Sequence, residues 1–81
     1  MLIRSQDKKE LHNLDGIKMI RVVTNSQDYF VEVNSQHTIG TYSTEEKAIK
    51  VLNAIERKYS GIVSELFENT KVFQMPQDSE V

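Results

Sequence analysis

Cysteine is absent from the chain, so no disulfide can support its core and no thiolate can hold zinc or attack a substrate. Glycine occurs three times and never in a cluster, which excludes the loops that present several amides to a phosphate. With one proline, Pro76, and no repeat or low-complexity block, nothing divides the chain into separate parts. No stretch approaches the ~20 apolar residues of a membrane span. The first residues, MLIRSQDKKE, break into charge at Arg4 before the apolar segment of a signal peptide could form. The expectation is a cytoplasmic protein with no membrane partner. Charge of one sign is scarce too: ten Lys and Arg stand against twelve Asp and Glu. The resulting net charge of −2 argues mildly against a purely electrostatic grip on nucleic acid.

What is present has a globular balance: 38% of the 81 residues are hydrophobic and 27% charged, with both signs interspersed. A chain of this length builds one domain with a thin core. We expect that domain over residues 1–76, followed by a flexible acidic tail over 77–81. Leu2 and Ile3 open a short strand, and residues 10–14 can pair back on it after the polar turn at 6–9. Asp15-Gly16 reads as a tight turn with glycine at positive φ. It leads into IKMIRVVT, residues 17–24, the strongest strand signal of the chain. The parity of its apolar residues switches between Met19 and Ile20, so a bulge is expected there, or a strand covered on both faces. Tyr29, Val31 and Val33 alternate with Phe30, Glu32 and Asn34, which leaves Phe30 facing outward. His37 to Tyr42 completes an antiparallel meander in which Gly40 permits a bend or close packing.

At Ser43 the period changes from two to about 3.6. Ser43-Thr44-Glu45-Glu46 fits a capping box, and Ala48, Leu52, Ile55 and Tyr59, flanked by Ile49 and Val51, form an apolar stripe. Arg57, Lys58 and Gly61 read as a helix end, so the helix is placed over 44–59 with a short helical segment near 62–67. Val72, Phe73 and Met75 suit a C-terminal edge strand near 71–75, stopped by Pro76. The fold class is therefore α+β: a four- to five-stranded, mainly antiparallel sheet packed on one face by the helix.

Ser5-Gln6-Asp7-Lys8, Leu14-Asp15-Gly16-Ile17, the run Gly40-x-Tyr42-Ser43-Thr44-x-Glu46-Lys47-Ala48 into Val51-Leu52, and Val72-Phe73-Gln74-Met75-Pro76 carry a resemblance. Together these segments, which span most of the chain, resemble a group of small, uncharacterised proteins of Gram-positive bacteria and their phages. The resemblance implies a cytoplasmic setting, on a prophage or mobile element. That group has no assigned activity, cofactor or catalytic residue.

Candidate chemistry is sparse. His12 and His37 are the only histidines, and a metal site with Glu10 or Asp15 would need the first hairpin to meet the strand at His37. Neither HExxH nor a nucleophile elbow is present, so no catalytic, cofactor-binding or metal residue is assigned and no enzyme is expected. Two surfaces remain. One helix covers one side of a sheet, which leaves Val23 and Phe30 over, and Val72 and Phe73 can offer an edge. These four residues point to a protein-interaction module whose partner is another protein or a second copy of the chain. The alternative is a small nucleic-acid-binding factor using the basic stripe Lys47, Lys50, Arg57 and Lys58, although Glu46–Lys50 also reads as an i,i+4 pair on a solvated face. Ser79-Glu80-Val81 faintly resembles the carboxyl-terminal peptides that add to sheet edges.

Overall fold

A computed structural model describes residues 1–64 and 72–81, with side chains described outside 60–71. β1 (Leu2–Arg4) and β2 (Leu11–Asn13) form an antiparallel hairpin. Its turn is organised by the buried Ser5, whose amide donates to the Glu10 carbonyl while its Oγ accepts from the Glu10 amide. Asp7 accepts from the Ser5 hydroxyl and the Lys9 amide, and Lys8 takes a φ of 67° at the tip. A 3-10 turn at Leu14–Gly16 follows, in which the Asn13 side chain accepts from the Asp15 amide. Gly16 does not adopt the expected positive φ. The Asn13 side chain supplies the local hydrogen bond that makes the turn instead.

β3 (Ile20–Thr24), β4 (Tyr29–Val33) and β5 (His37–Tyr42) form an antiparallel meander. Asn34 and Ser35, at φ 53° and 59°, make the second link, a geometry that asparagine tolerates because its short amide bonds locally. The Asn34 Oδ1 accepts from the amides of Lys18 and Met19, which pins the start of β3. Residues 17–19 thus lead into the strand, and the parity switch in IKMIRVVT marks where β3 begins. The bulge expected near Met19 lies in β5 instead. Val31 pairs with Gly40 and Glu32 with Thr38, so Ile39 is the extra residue and both Ile39 and Gly40 are buried.

α1 (Glu45–Ser64) crosses the meander with Ala48, Val51 and Ile55 buried. Ala48 and Ile55 of the expected stripe are in the core, but Val51 takes the place of Leu52, which sits at the margin, and Tyr59 is exposed. Thr44, not Ser43, is the N-cap. Its Oγ1 accepts from the Lys47 amide and its carbonyl from the Ala48 amide. The helix also runs through Gly61 to Ser64 rather than ending near Tyr59. A glycine in a helix interior costs only about 1 kcal/mol, so Gly61 by itself does not force an end there. The rest of the segment expected at 62–67 lies outside the described residues.

β6 (Val72–Gln74) pairs in parallel with β1, giving a second sheet in the order β2-β1-β6. Two three-stranded sheets therefore replace the single four- to five-stranded one expected. β1 has a neighbour on each side and cannot extend the meander. Ile3, Met75 and Met1 from the small sheet and its flanks complete one core with Val31, Val33, Ile39, Tyr42 and the helix residues. Where the sequence suggests a loose tail, Asp78–Glu80 is a 3-10 turn. Gln77 and Glu80 hydrogen-bond reciprocally, and Val81 packs on the core.

Candidate functional site

The two sheets meet at a polar seam centred on Gln6. Its amide N–H donates to the Ile39 carbonyl at 2.7 Å, a bond made available by the β5 bulge. Its side chain then imitates a strand: Oε1 accepts from the Thr41 amide at 2.9 Å and Nε2 donates to the Thr41 carbonyl at 3.0 Å. Nε2 also reaches the Pro76 carbonyl, and the Gln77 side chain donates back to the Gln6 carbonyl. Tyr42 donates its hydroxyl to the same Pro76 carbonyl at 2.8 Å. Burial, with Asp78 and Glu80 nearby, pushes that phenol well above its ordinary range and keeps it a donor. Gln74 Nε2 donates to the carbonyls of Ser5 and Met75. The segments at 5–8, 40–48 and 72–76 thus converge on this seam. Every buried side-chain N and O among the described residues has a partner, so the seam's polar atoms are used in holding the sheets together.

Asp78 extends the seam to the helix start. Its Oδ1 accepts from the Ser43 amide and hydroxyl, and Lys47 Nζ donates to its carbonyl at 3.0 Å and lies 3.5 Å from Oδ2. The Ser43 amide, then its hydroxyl and Lys47, hold the carboxyl below the usual range against the opposing effect of burial. The Ser43 hydroxyl assigned by sequence to a capping box is engaged here instead.

Of the basic stripe, Lys47 is thus held by Asp78. Lys50 lies 3.8 Å from Glu46, as the i,i+4 spacing suggests. Lys58 Nζ donates to the Val72 carbonyl and stands over the Phe73 ring, 6.0 Å from its centroid. Arg57 is exposed. The structure therefore spreads these cations over three local engagements rather than presenting one concentrated field.

The first hairpin does meet β5. The rings of His12 and His37 are 5.7 Å apart, and His12 Nε2 is 2.9 Å from Glu10 Oε1. Among the described residues, however, no group of three or more His, Asp and Glu is placed to hold a metal ion. An open groove of about 470 Å³ lies between Leu14, Ile17 and Ile20 on one side and Leu52, Ile55 and Tyr59 on the helix.

The apolar residues left over by the sequence pattern divide between the two sheets. Val23 and Phe30 are directly opposite one another on the face of the meander turned away from α1. Thr41 continues that row, and Arg21 and Glu32, 3.6 Å apart, flank it. Val72 and Phe73 lie on β6, where Val72 is exposed and Phe73 packs against the core beneath Lys58. These pairs are on different sheets and do not share a strand ladder. Sequence reasoning missed Gln6, because one glutamine in a polar turn gives no periodic signal. It also missed the outer edge of β3, whose exposure depends on strand order. The C-terminal peptide is engaged through Asp78 and Val81 within the fold. Among the described residues, no helix is long and apolar enough to cross a membrane. Comparison with protein-family models, with curated proteins and with solved structures gives no match in any of the three.

Proposed function

We propose that the chain is a non-enzymatic protein-interaction module of a bacterial or prophage accessory protein, acting through the uncovered face of the β3-β4-β5 sheet. The observation that carries this reading is the direct pairing of Val23 with Phe30 on the face opposite the helix. An aromatic beside a β-branched residue, rimmed by the Arg21–Glu32 ion pair, has the make-up of a small interaction centre: apolar in the middle and charged at the rim. Val72 on β6 offers a second, smaller contact. The nucleic-acid reading has less support, since Lys47, Lys50 and Lys58 each already serve a neighbour in the fold.

The test is affinity capture with the tagged chain and its Phe30→Glu variant as paired baits, scored by stoichiometry. A charge placed at the centre of the contact should lower the retained partner, or retained second copy, by about tenfold or more. Equal retention by both baits, with unchanged circular dichroism, would reject the face as the interaction site.

A further inference from the structure

The outer edge of β3 is the longest strand edge to which the described residues bring no partner. The Asn34 amide donates to the Met19 carbonyl and the Asn25 amide to the Asp28 carbonyl, which sets the phase of the β3–β4 ladder. Arg21 with Glu32, and Val23 with Phe30, are then the hydrogen-bonded pairs, and the amides and carbonyls of Ile20, Val22 and Thr24 point away from β4. No described residue hydrogen-bonds to those groups. The opposite edge of the meander is different, since Gln6 closes it at Ile39 and Thr41. The usual edge protections are missing from β3: it contains no proline or glycine, and its register against β4 is unbroken. Its one charge, Arg21, is turned across the sheet toward Glu32.

We infer that β3 pairs antiparallel with β3 of a second copy of this chain about a two-fold axis at Val22, joining two meanders into one continuous six-stranded sheet. This deepens the interaction reading by naming the partner and the edge. The register follows from the direction of the free groups. Ile20 opposes Thr24 of the second copy and Val22 opposes Val22, which uses every outward amide and carbonyl of the strand and forms about six interstrand hydrogen bonds. The side chains fit the same register. Arg21 faces Val23 of the other copy, so no like charges stand directly opposite, and the two Arg21, diagonal to each other, each keep Glu32 of their own chain beside them. The two Val23 side chains are diagonal neighbours, and Phe30–Val23 of each copy joins into one apolar row across the new ladder. On the inner face, Ile20 and Val22, half-buried at the margin of the core, gain the cover that the sheet edge lacks.

The experiment is sedimentation equilibrium of the full chain over a concentration series, together with two variants. The natural chain should sediment as a reversible dimer. Thr24→Pro removes an outward amide at an exposed position and leaves the β3–β4 hydrogen bonds in place. It deletes two symmetry-related bonds and should weaken the dimer by about tenfold or more. Because the chain has no cysteine, the double variant Arg21→Cys, Val23→Cys reports the register directly. These positions face each other in a non-hydrogen-bonded pair, close enough for disulfides, and mild oxidation should give a covalent dimer. A monomer at every concentration, a dimer indifferent to Thr24→Pro, or a double variant that stays monomeric on oxidation would each overturn the proposal. If Thr24→Pro does not fold, the oxidation result decides alone. Capture of a different protein that Thr24→Pro releases would overturn the second copy as partner. The face and the edge are separable: Phe30→Glu can abolish capture while the chain is a strict monomer, or leave it intact while Thr24→Pro dissolves a dimer.

Discussion

The two sheets are held in opposite ways. The meander joins strands that follow one another in the chain, with links short enough for Asn34, Ser35 and the 25–28 turn to set its register. The small sheet gathers both ends of the chain: β1 lies beside β2 on one side and, in parallel, beside β6 from about seventy residues away on the other. Each of its strands is only three residues long. So few ladder bonds hold a parallel pair weakly, and side-chain amides from Gln6, Gln74 and Gln77 supplement them. The lesson is that local pairing can rest on backbone and turn chemistry, whereas closure between distant ends here depends on individual polar side chains.

Gln6→Ala is the most direct way to break that comparison. It removes both side-chain bonds to Thr41 and the one to Pro76, leaving the partly buried amide and carbonyl of Thr41 without that partner while the Pro76 carbonyl keeps the Tyr42 hydroxyl. We expect a loss of about 2–4 kcal/mol in urea unfolding, larger than for any single turn residue of the meander. Amide exchange should sharpen the result. Protection should fall first in β6 and the 76–81 segment and last in β4. A uniform loss of protection across both sheets would show that they unfold together and that Gln6 is no special link.

Gly40→Ala tests the same seam from the meander side. A Cβ there would lie 2.9 Å from both Cε2 and Oη of Tyr42 and 3.0 Å from the Met75 methyl. The ring is fixed by the core and by its bond to the Pro76 carbonyl, so it cannot yield cheaply. We expect about 1–3 kcal/mol of destabilisation, with the Tyr42–Pro76 contact disturbed before the β3–β4 hairpin. An unchanged unfolding midpoint would mean that the ring and Met75 repack freely. Gly16→Ala is the natural contrast, because nothing stands within 4 Å of its added carbon and its φ is not positive. That change should be close to neutral.

The same division explains what could be read in advance. The meander was legible because β4 and β5 announce themselves by alternation and turn residues, and Ala48 and Ile55 by helical spacing, whereas Val51 reads only as a flank of the stripe. The β5 bulge was not, since Ile39-Gly40 gives no cue that both residues face the core. The parallel β1–β6 pair has no local signature at all, because only the finished topology brings Ile3 opposite Phe73. The helix start failed for a related reason. Ser43 and Thr44 are chemically equivalent as caps, and what separates them is Asp78, which arrives from the far end of the chain and takes the Ser43 hydroxyl. That Val23 and Phe30 share the face turned away from α1 followed from strand parity, although both are half-buried there. The free edge beside it needed the strand order.

Asp78 offers the smallest and most specific test. Its carboxyl is held below the ordinary value of 3.8, chiefly by hydrogen bonds from Ser43 with help from Lys47. A carboxyl lowered on folding stabilises the fold while it is ionised. Its contribution is complete above the unfolded-state value and is lost as pH falls through the lower folded-state value. Between about pH 6 and pH 3 the natural chain should therefore lose more stability than Asp78→Asn, which cannot ionise. At neutral pH the substitution should cost less than Gln6→Ala, because the group is solvent-exposed and its pairing with Lys47 is screened. Asp7 is lowered as well, by the Ser5 hydroxyl and the Lys9 amide, so the natural chain keeps a second acid-sensitive group that Asp78→Asn leaves in place. Parallel melting curves for the two proteins across this range would show that Asp78 contributes nothing as a charge. Curves that converge toward acid would show that the last residues of the chain are fastened electrostatically to the helix start.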